Sequence, residues 1–168
     1  VFQEPRLLPW KSVRENVAVG LPRGVDPDSD DAHERIDALL DRVGLTEFAD
    51  ARPSELSGGM AQRVSLARGL AYDPTVMLLD EPFSALDALT KYEQQDFLLD
   101  LWRDSDLTVV LVTHDVEEAA YLADRVTVLG GQPGTVETTV DITEERPRDR
   151  GEWLVDYRDR ITTALGVE

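Results

Sequence analysis

Apolar residues recur along this chain in two rhythms, one helical and one of short unbroken runs. Between about Asp31 and Val43, the residues Ala32, Ile36, Leu39, Leu40 and Val43 share one helical face, and Gly44 is a natural stop. A second stripe, Met60, Val64, Ala67, Leu70 and Ala71, follows Ser57, which is placed as an N-cap, and ends before Asp73-Pro74. Ser12 to Glu15 reads "SVRE", a capping box that opens a short helix through about Val19. The stretch "EPRLLPW" carries two prolines and reads as an irregular loop with exposed apolar residues. "GLPRGVDPDSDD" is a second loop, and "LTEFAD" is a brief turn of helix followed by "ARPSE".

The unbroken runs come next. "TVMLLD" and "LTVVLVTH" are short and wholly apolar before a polar end, which predicts buried strands of a parallel sheet. "ALTKYEQQDFLLDLWRD" between them is a helix, as is "DVEEAAYLAD", capped by Asp115. "RVTVLG" is a third strand, and after the turn "GQPG" the alternating "TVETTVDI" reads as a half-exposed one. From about Glu152 to Leu165 the tail is amphipathic, with Trp153, Tyr157, Ile161 and Leu165 on one face. Strand, helix, strand, helix, strand is the signature of an α/β fold. Residues from about 4 to 72 form a helical lobe, 73 to 142 the α/β part, and 143 to 168 a helical tail. Val1-Phe2-Gln3 read as the end of a strand, which suggests a chain whose N-terminal part lies elsewhere.

Charge changes the picture. Formal net charge is −17, and only Lys11 and Lys91 are lysine among 17 basic residues. Such a surface repels phosphate backbones and disfavours nucleic acid. The acids are scattered rather than gathered in a tail, a pattern similar to proteins of salt-loving organisms, where screening relieves self-repulsion. An ordinary acidic protein is the plainer alternative. Without cysteine there is no disulfide or cysteine-ligated metal, which fits a reducing cytoplasm. Neither an apolar run of about 18 residues nor a charged-then-apolar leader is present in the 168 residues.

In a parallel sheet, chemistry gathers at the C-terminal ends of the strands. Asp80-Glu81-Pro82 follows the first run, and Thr113-His114-Asp115 the second. An acid ending an apolar strand suits a hard cation, and a second acid beside it suits orienting or deprotonating a water. An imidazole on the neighbouring edge suits a phosphate oxygen. Each signal alone is weak, since an Asp-Glu or a His after a strand is more often a loop start or a structural group. Ser57-Gly58-Gly59 adds a third signal. Each glycine costs a helix about 0.5–1 kcal/mol relative to Ala, whereas bare amides at a helix mouth make an anion site that glycine leaves open.

These pieces occur together in "LSGGMAQRVSLARGLAYDPTVMLLDEPFSALDALT", which resembles the nucleotide-binding ATPase subunit of ABC transporters. Leu56 to Met60 match the signature loop, Val76 to Glu81 the Walker B strand, and Ser84 to Asp87 the D-loop. His114 matches the switch histidine, and Gln3 the Q-loop glutamine. "RLLPW", Met60 and "RPRDR" look most like importers of nitrate, sulfonate, taurine and related small molecules. The resemblance implies a P-loop NTPase-like α/β fold with a parallel sheet and a helical subdomain, and an ATPase coupled to import. It implies ATP and Mg²⁺, with Asp80 and Gln3 at the metal, and with Glu81, His114 and Gln3 as catalytic groups. Ser57, Gly58 and Gly59 would contact the γ-phosphate held by a second, head-to-tail ATPase subunit, and Asp87 would bridge the two. Transmembrane permease subunits are implied as partners, docking near Leu7-Leu8-Pro9-Trp10, with an extracytoplasmic substrate-binding protein acting indirectly. The expected place is the cytoplasmic face of the membrane.

Departures from the pattern matter. No Gly-x-x-x-x-Gly-Lys-Ser/Thr occurs, nor the aromatic that stacks on adenine in relatives, and Met60 stands where many relatives carry Gln. Both missing features normally precede the Q-loop, so the Walker A loop and the first strands are expected upstream of Val1. Two other readings remain open here. DNA-associated ATPases of the same class insert long coiled coils before the signature, yet only about 50 residues separate Gln3 from Ser57. A degenerate, non-catalytic interaction module is the other. Residues 1–168 alone are expected not to bind ATP tightly, so micromolar binding by calorimetry would overturn this assignment of the phosphate loop.

Overall fold

The computed structural model describes residues 1, 3–103 and 105–165. Phe2, part of the expected N-terminal strand end, lies outside the described residues, as do Asp104 and residues 166–168. The chain divides into two compact units, Val1–Val112 and Thr113–Glu168.

The first unit begins with the expected capping box. Ser12 Oγ accepts from the Glu15 amide at 3.2 Å, and the Ser12 amide donates to Glu15 Oε2 at 2.6 Å, opening α1 (Val13–Ala18). The bond from the Ser12 backbone holds the Glu15 carboxyl below its ordinary pKa. Helix α2 (Asp30–Arg42) starts slightly earlier than its apolar spacing suggests, because Ser29 caps it and Asp30 and Asp31 suit the positive end of its dipole. Helix α3 (Gly58–Leu70) is capped by Ser57 as expected. The three helices close on one core in which Val13, Val17, Leu40, Val43, Val64, Ala67 and Ala71 are fully buried. Burying an aliphatic side chain completely contributes about 1.5–3 kcal/mol, so this cluster dominates the lobe.

Strand β1 (Val76–Asp80) pairs in parallel with β2 (Thr108–Val112) from Val76↔Thr108 to Asp80↔Val112, and α4 (Ala88–Arg103) connects them. Along the other edge of β1, the Val1 amino group donates to Leu78 O at 2.8 Å and the Asp80 amide donates to Val1 O at 3.1 Å. Val1 therefore runs beside β1 as a third, parallel partner, consistent with a strand end there. The expectation that both strands are buried is corrected. Met77 and Leu79 face the core, whereas Val76, Leu78, Val110 and Val112 lie 45–63% exposed on the opposite face. Helix α3 covers only the inner side, where Gly69 approaches Met77 closely enough that a Cβ would sit 3.2 Å from its Cε. Apolar content marked the strands; it did not report that one face lacks cover among the described residues.

In the second unit, α5 (Val116–Leu122) is capped by Asp115, whose Oδ1 accepts from the Glu118 amide at 3.0 Å. Strand β3 (Arg125–Gly130) pairs antiparallel with β4 (Thr135–Asp141), with an irregularity between Val128 and Leu129. Helix α6 (Glu152–Ala164) buries Leu154 and Ile161, while Trp153 and Tyr157 are half-buried and Leu165 is exposed. Ile161 is buried as expected, whereas Leu154 takes the buried place expected of Trp153. Trp153 and Tyr157 meet edge to face with ring centroids 6.0 Å apart. The "RPRDR" segment has a structural use. The guanidinium of Arg148, buried, donates to Tyr121 O at 3.1 Å, Ala123 O at 2.7 Å and Glu144 O at 2.9 Å, and Arg146 donates to Leu122 O and Asp124. Two cations thus close the carbonyl end of α5, where the dipole is negative.

The loop before α1 is held by one buried side chain. Asn16 Oδ1 accepts from the Leu8 amide at 2.8 Å, and its Nδ2 donates to Leu8 O, Lys11 O and Ser12 O at 3.2, 3.2 and 2.9 Å. Arg52 adds a bond to Trp10 O, leaving the Trp10 indole 69% exposed on a fixed backbone. Asn16→Ala is expected to lower unfolding free energy by about 1–3 kcal/mol, since it strands buried polar backbone. Hydrogen exchange at the Leu8 amide should accelerate with it, and an unchanged Leu8 rate would contradict the role of Asn16.

Candidate functional site

Three of the singled-out positions sit on the first turn of α3. Ser57 is extended (φ −69°, ψ 163°) and its Oγ accepts from the Met60 amide at 3.3 Å, so the cap satisfies one donor. Ala61 N–H closes the first intrahelical bond onto Ser57 O at 2.9 Å. Helix geometry leaves the Gly58 and Gly59 amides as the first two donors with no intrahelical acceptor. Ser57 and Gly58 are exposed, while Gly59 is buried. Met60 is half-buried and borders the helical core rather than open solvent.

Asp80 closes β1 with an exposed side chain. The next residue departs from regular geometry. Glu81 has φ +43°, a left-handed conformation that a side chain with a Cβ adopts at a cost of about 1–3 kcal/mol. It is held there from both sides. Its amide donates to Val112 O at 2.8 Å, extending the β1–β2 ladder by one rung, and its carbonyl accepts from the Ser84 amide at 3.3 Å and Ser84 Oγ at 3.0 Å. No signal in the sequence announced this strain, because Glu-Pro after a strand is compatible with many turns.

Asp87 precedes α4 and its carboxylate serves that helix. Oδ1 accepts from the Thr90 amide at 3.1 Å and Oδ2 from Thr90 Oγ1 at 2.7 Å. The Thr90 hydroxyl, then the Thr90 amide, hold the Asp87 carboxyl below its ordinary pKa, so the cap is fully formed above the usual carboxylate range and lost as pH falls through the lowered value. Sequence reading placed Asp87 between subunits and missed this local duty, although Asp followed three residues later by Thr carries the N-cap signal. Gln3 lies exposed in the bend after Val1. His114 is exposed in the second unit, two residues beyond the end of β2 and just before the Asp115 cap. Structure thus gathers Ser57, Gly58, Gly59 and Asp87 around the facing ends of α3 and α4, and sets Asp80 and Glu81 at the end of β1.

Among the described residues no cluster of three or more His, Asp or Glu forms a metal cage. Mg²⁺ is held by one or two carboxylates together with substrate phosphates, and the exposed Asp80 carboxylate is of a kind that would fit such an ion. No helix of the described residues is long and apolar enough to cross a membrane.

A family model described as ABC transporter matches residues 1–84, which take in Gln3, the Ser57–Gly59 turn and Asp80-Glu81. The chain is 53% identical over 150 residues to an aliphatic sulfonates import ATP-binding protein, SsuB 1, of Xanthomonas axonopodis, covering 89% of this chain and 60% of that protein. It is 49% identical over 166 residues to the SsuB of Mycobacterium avium, covering 99% and 66%. Among solved structures it is similar to cbiO1 of Clostridium perfringens, part of the cbiONQ ABC transporter complex, with TM-score 0.69 and 31% identity over 76% of this chain and 51% of that one. A dimeric ATP-binding cassette in a post-hydrolysis state with ADP and Pi matches at TM-score 0.68 and 33% identity, over 86% and 63%. The chain spans roughly three-fifths of the length of the first curated relatives it matches, between 60% and 64%. With the family model, the fold of the solved neighbours and the α3 and β1 motifs in agreement, the chain belongs to the ABC transporter family and carries the P-loop NTPase-like fold of its ATP-binding subunits.

Proposed function

We propose that this chain is part of the ATP-hydrolysing subunit of an ABC importer, working as a head-to-tail pair beneath two permease subunits at the cytoplasmic face of the membrane. The observation that carries the reading is the end of β1. There an open carboxylate, Asp80, is followed by Glu81 in a strained conformation pinned by Val112 and Ser84. Strain of that kind concentrates where geometry matters more than stability.

In this reading the Ser57 hydroxyl and the Gly58 and Gly59 amides meet the γ-phosphate of an ATP bound by the partner subunit, where the positive end of α3 favours the anion. Asp80 and Gln3 hold Mg²⁺, which when bound neutralises phosphate charge and orients its oxygens. Glu81 takes a proton from the attacking water as the oxygen bonds to the γ-phosphorus and the bond to the ADP oxygen breaks. His114 donates to an equatorial oxygen as charge builds there. Asp87 lies at the facing surface between subunits. Gln3 and the rigid Leu7–Trp10 loop relay closure to the permease, and an extracytoplasmic binding protein delivers the cargo. The helical lobe from about 4 to 72 carries the signature, the part from 73 to 142 completes the catalytic core, and 143 to 168 is an accessory tail. Relatives named for aliphatic sulfonate import make small sulfonates, taurine among them, the first cargo to test, ahead of nitrate.

The test is Glu81→Gln in the full-length protein. Hydrolysis should fall by about 10²–10⁴-fold, the usual scale for losing a general base, while ATP-dependent dimerisation survives. A near-normal hydrolytic rate would remove Glu81 from this role.

A further inference from the structure

The first turn of α3 meets Leu86 and the first two turns of α4 at the two glycines. A Cβ on Gly58 would stand 3.3 Å from Leu86 Cδ2, and one on Gly59 would stand 3.1 Å from Thr90 Cγ2 and 3.2 Å from Gln94 Nε2. Contacts that short force a neighbour to move. Gly58 is exposed to solvent beside the half-buried Leu86, but Gly59 is buried against groups that are themselves held. Thr90 is tied to Asp87 through both its hydroxyl, at 2.7 Å, and its amide, at 3.1 Å. Gln94, also buried, accepts from Arg63 Nε at 3.1 Å, and the Arg63 guanidinium lies 4.4 Å from the centre of the Phe97 ring. Gly59 itself has ordinary helical backbone, outside the left-handed region, so a side chain is excluded there by space and not by conformation.

We propose that Thr90 is a positioning residue for the Ser57–Gly59 turn, and that position 59 is glycine because the Thr90 methyl fills the volume its side chain would need. One face of Thr90 is fixed by Asp87 and the other seats the turn, so Asp87 and the signature turn keep a set spacing within one subunit. This inference rests on the reading of that turn as the phosphate-facing element. It differs from the expectation that both glycines serve close approach of a phosphate. Only the amide of Gly59 is left for the anion, while its α-carbon faces α4.

A size-exchange pair in the full-length protein tests it. Gly59→Ala should lower kcat for ATP by about 10-fold or more with KM changed less than about 2-fold, and lower Tm by about 3–8 °C through overpacking. Thr90→Ser keeps the hydroxyl on Asp87 and deletes the methyl, so it should stay within about 3-fold of wild type. The double variant Gly59→Ala with Thr90→Ser should recover part of the lost kcat and Tm, because the missing methyl removes the nearer of the two contacts while Gln94 Nε2 remains 3.2 Å away. Gly59→Ala with Thr90→Val retains the methyl and should not recover. Recovery of Tm without recovery of kcat would mean the nucleotide demands glycine, and the inference is lost. No recovery of Tm would mean the Thr90 methyl is not the constraint, with the same consequence. If the wild-type protein hydrolyses no ATP, the proposed function fails by itself, and the Tm cycle still decides whether Thr90 and Gly59 compete for one volume.

Discussion

The close approach of α4 to the first turn of α3 is the contact on which the rest of the site depends. A helix mouth that offers bare amides must stay open on one side, and it must also be anchored on the other. Here the anchoring side is supplied by Thr90 and Gln94, with Asp87 behind Thr90 and Arg63 behind Gln94. Two consecutive glycines at a helix start weaken it by propensity alone. The Ser57 cap and the fit against α4 offset that loss, so the residues that destabilise the isolated helix are the ones that let it dock. The same α3 then carries Val64, Ala67 and Ala71 into the helical core against α1 and α2. A rigid core behind, a flush contact beside and free amides in front fix the turn in place.

At the end of β1 the constraint is different in kind. Parallel pairing with β2 continues one residue past Asp80, through the Glu81 amide to Val112 O, and the chain must then reverse toward α4. A residue with φ +43° absorbs the reversal. Glycine would do so with less strain, but it would carry no carboxylate. The strain falls at the position proposed for the general base, and Ser84 holds the turn closed. Anchoring of Glu81 by β2 also ties its placement to the two-stranded ladder and not to a flexible loop.

Much of this was legible in the residues. The capping box at Ser12 and the N-caps at Ser57 and Asp115 are local, and local hydrogen bonding is what spacing reports well. The α2 and α3 stripes and the four strands were equally plain. What escaped was set by neighbours distant in sequence. "VMLLD" and "TVVLV" read as wholly buried, yet Val76, Leu78, Val110 and Val112 face outward, because apolar character shows a tendency to be covered and not what covers it. Leu154 is buried in place of Trp153 while Ile161 is buried as read, because 154 and 161 lie seven residues apart on one face that the four-residue spacing from Trp153 did not pick out. The Glu81 conformation, the Asn16 bonds to the loop before α1 and the α4 contact at Gly59 all need the fold before they can be seen.

Charge raises a last point of physical consistency. A chain of net charge −17 is an unfavourable partner for a nucleotide polyanion at long range. At about 0.15 M salt the Debye length is near 8 Å, so scattered surface acids beyond that distance are largely screened. Amide donors at a helix mouth act at hydrogen-bond distance, inside the screening length, where the dipole end and direct N–H bonds set the local field. Long-range repulsion and short-range capture therefore operate on different length scales, and salt weakens the first more than the second. An acidic surface with few lysines is compatible with a phosphate-binding turn provided that turn is made of backbone. Ser57, Gly58 and Gly59 carry no charged side chain, which fits the phosphate contact proposed for this turn beside an acidic surface.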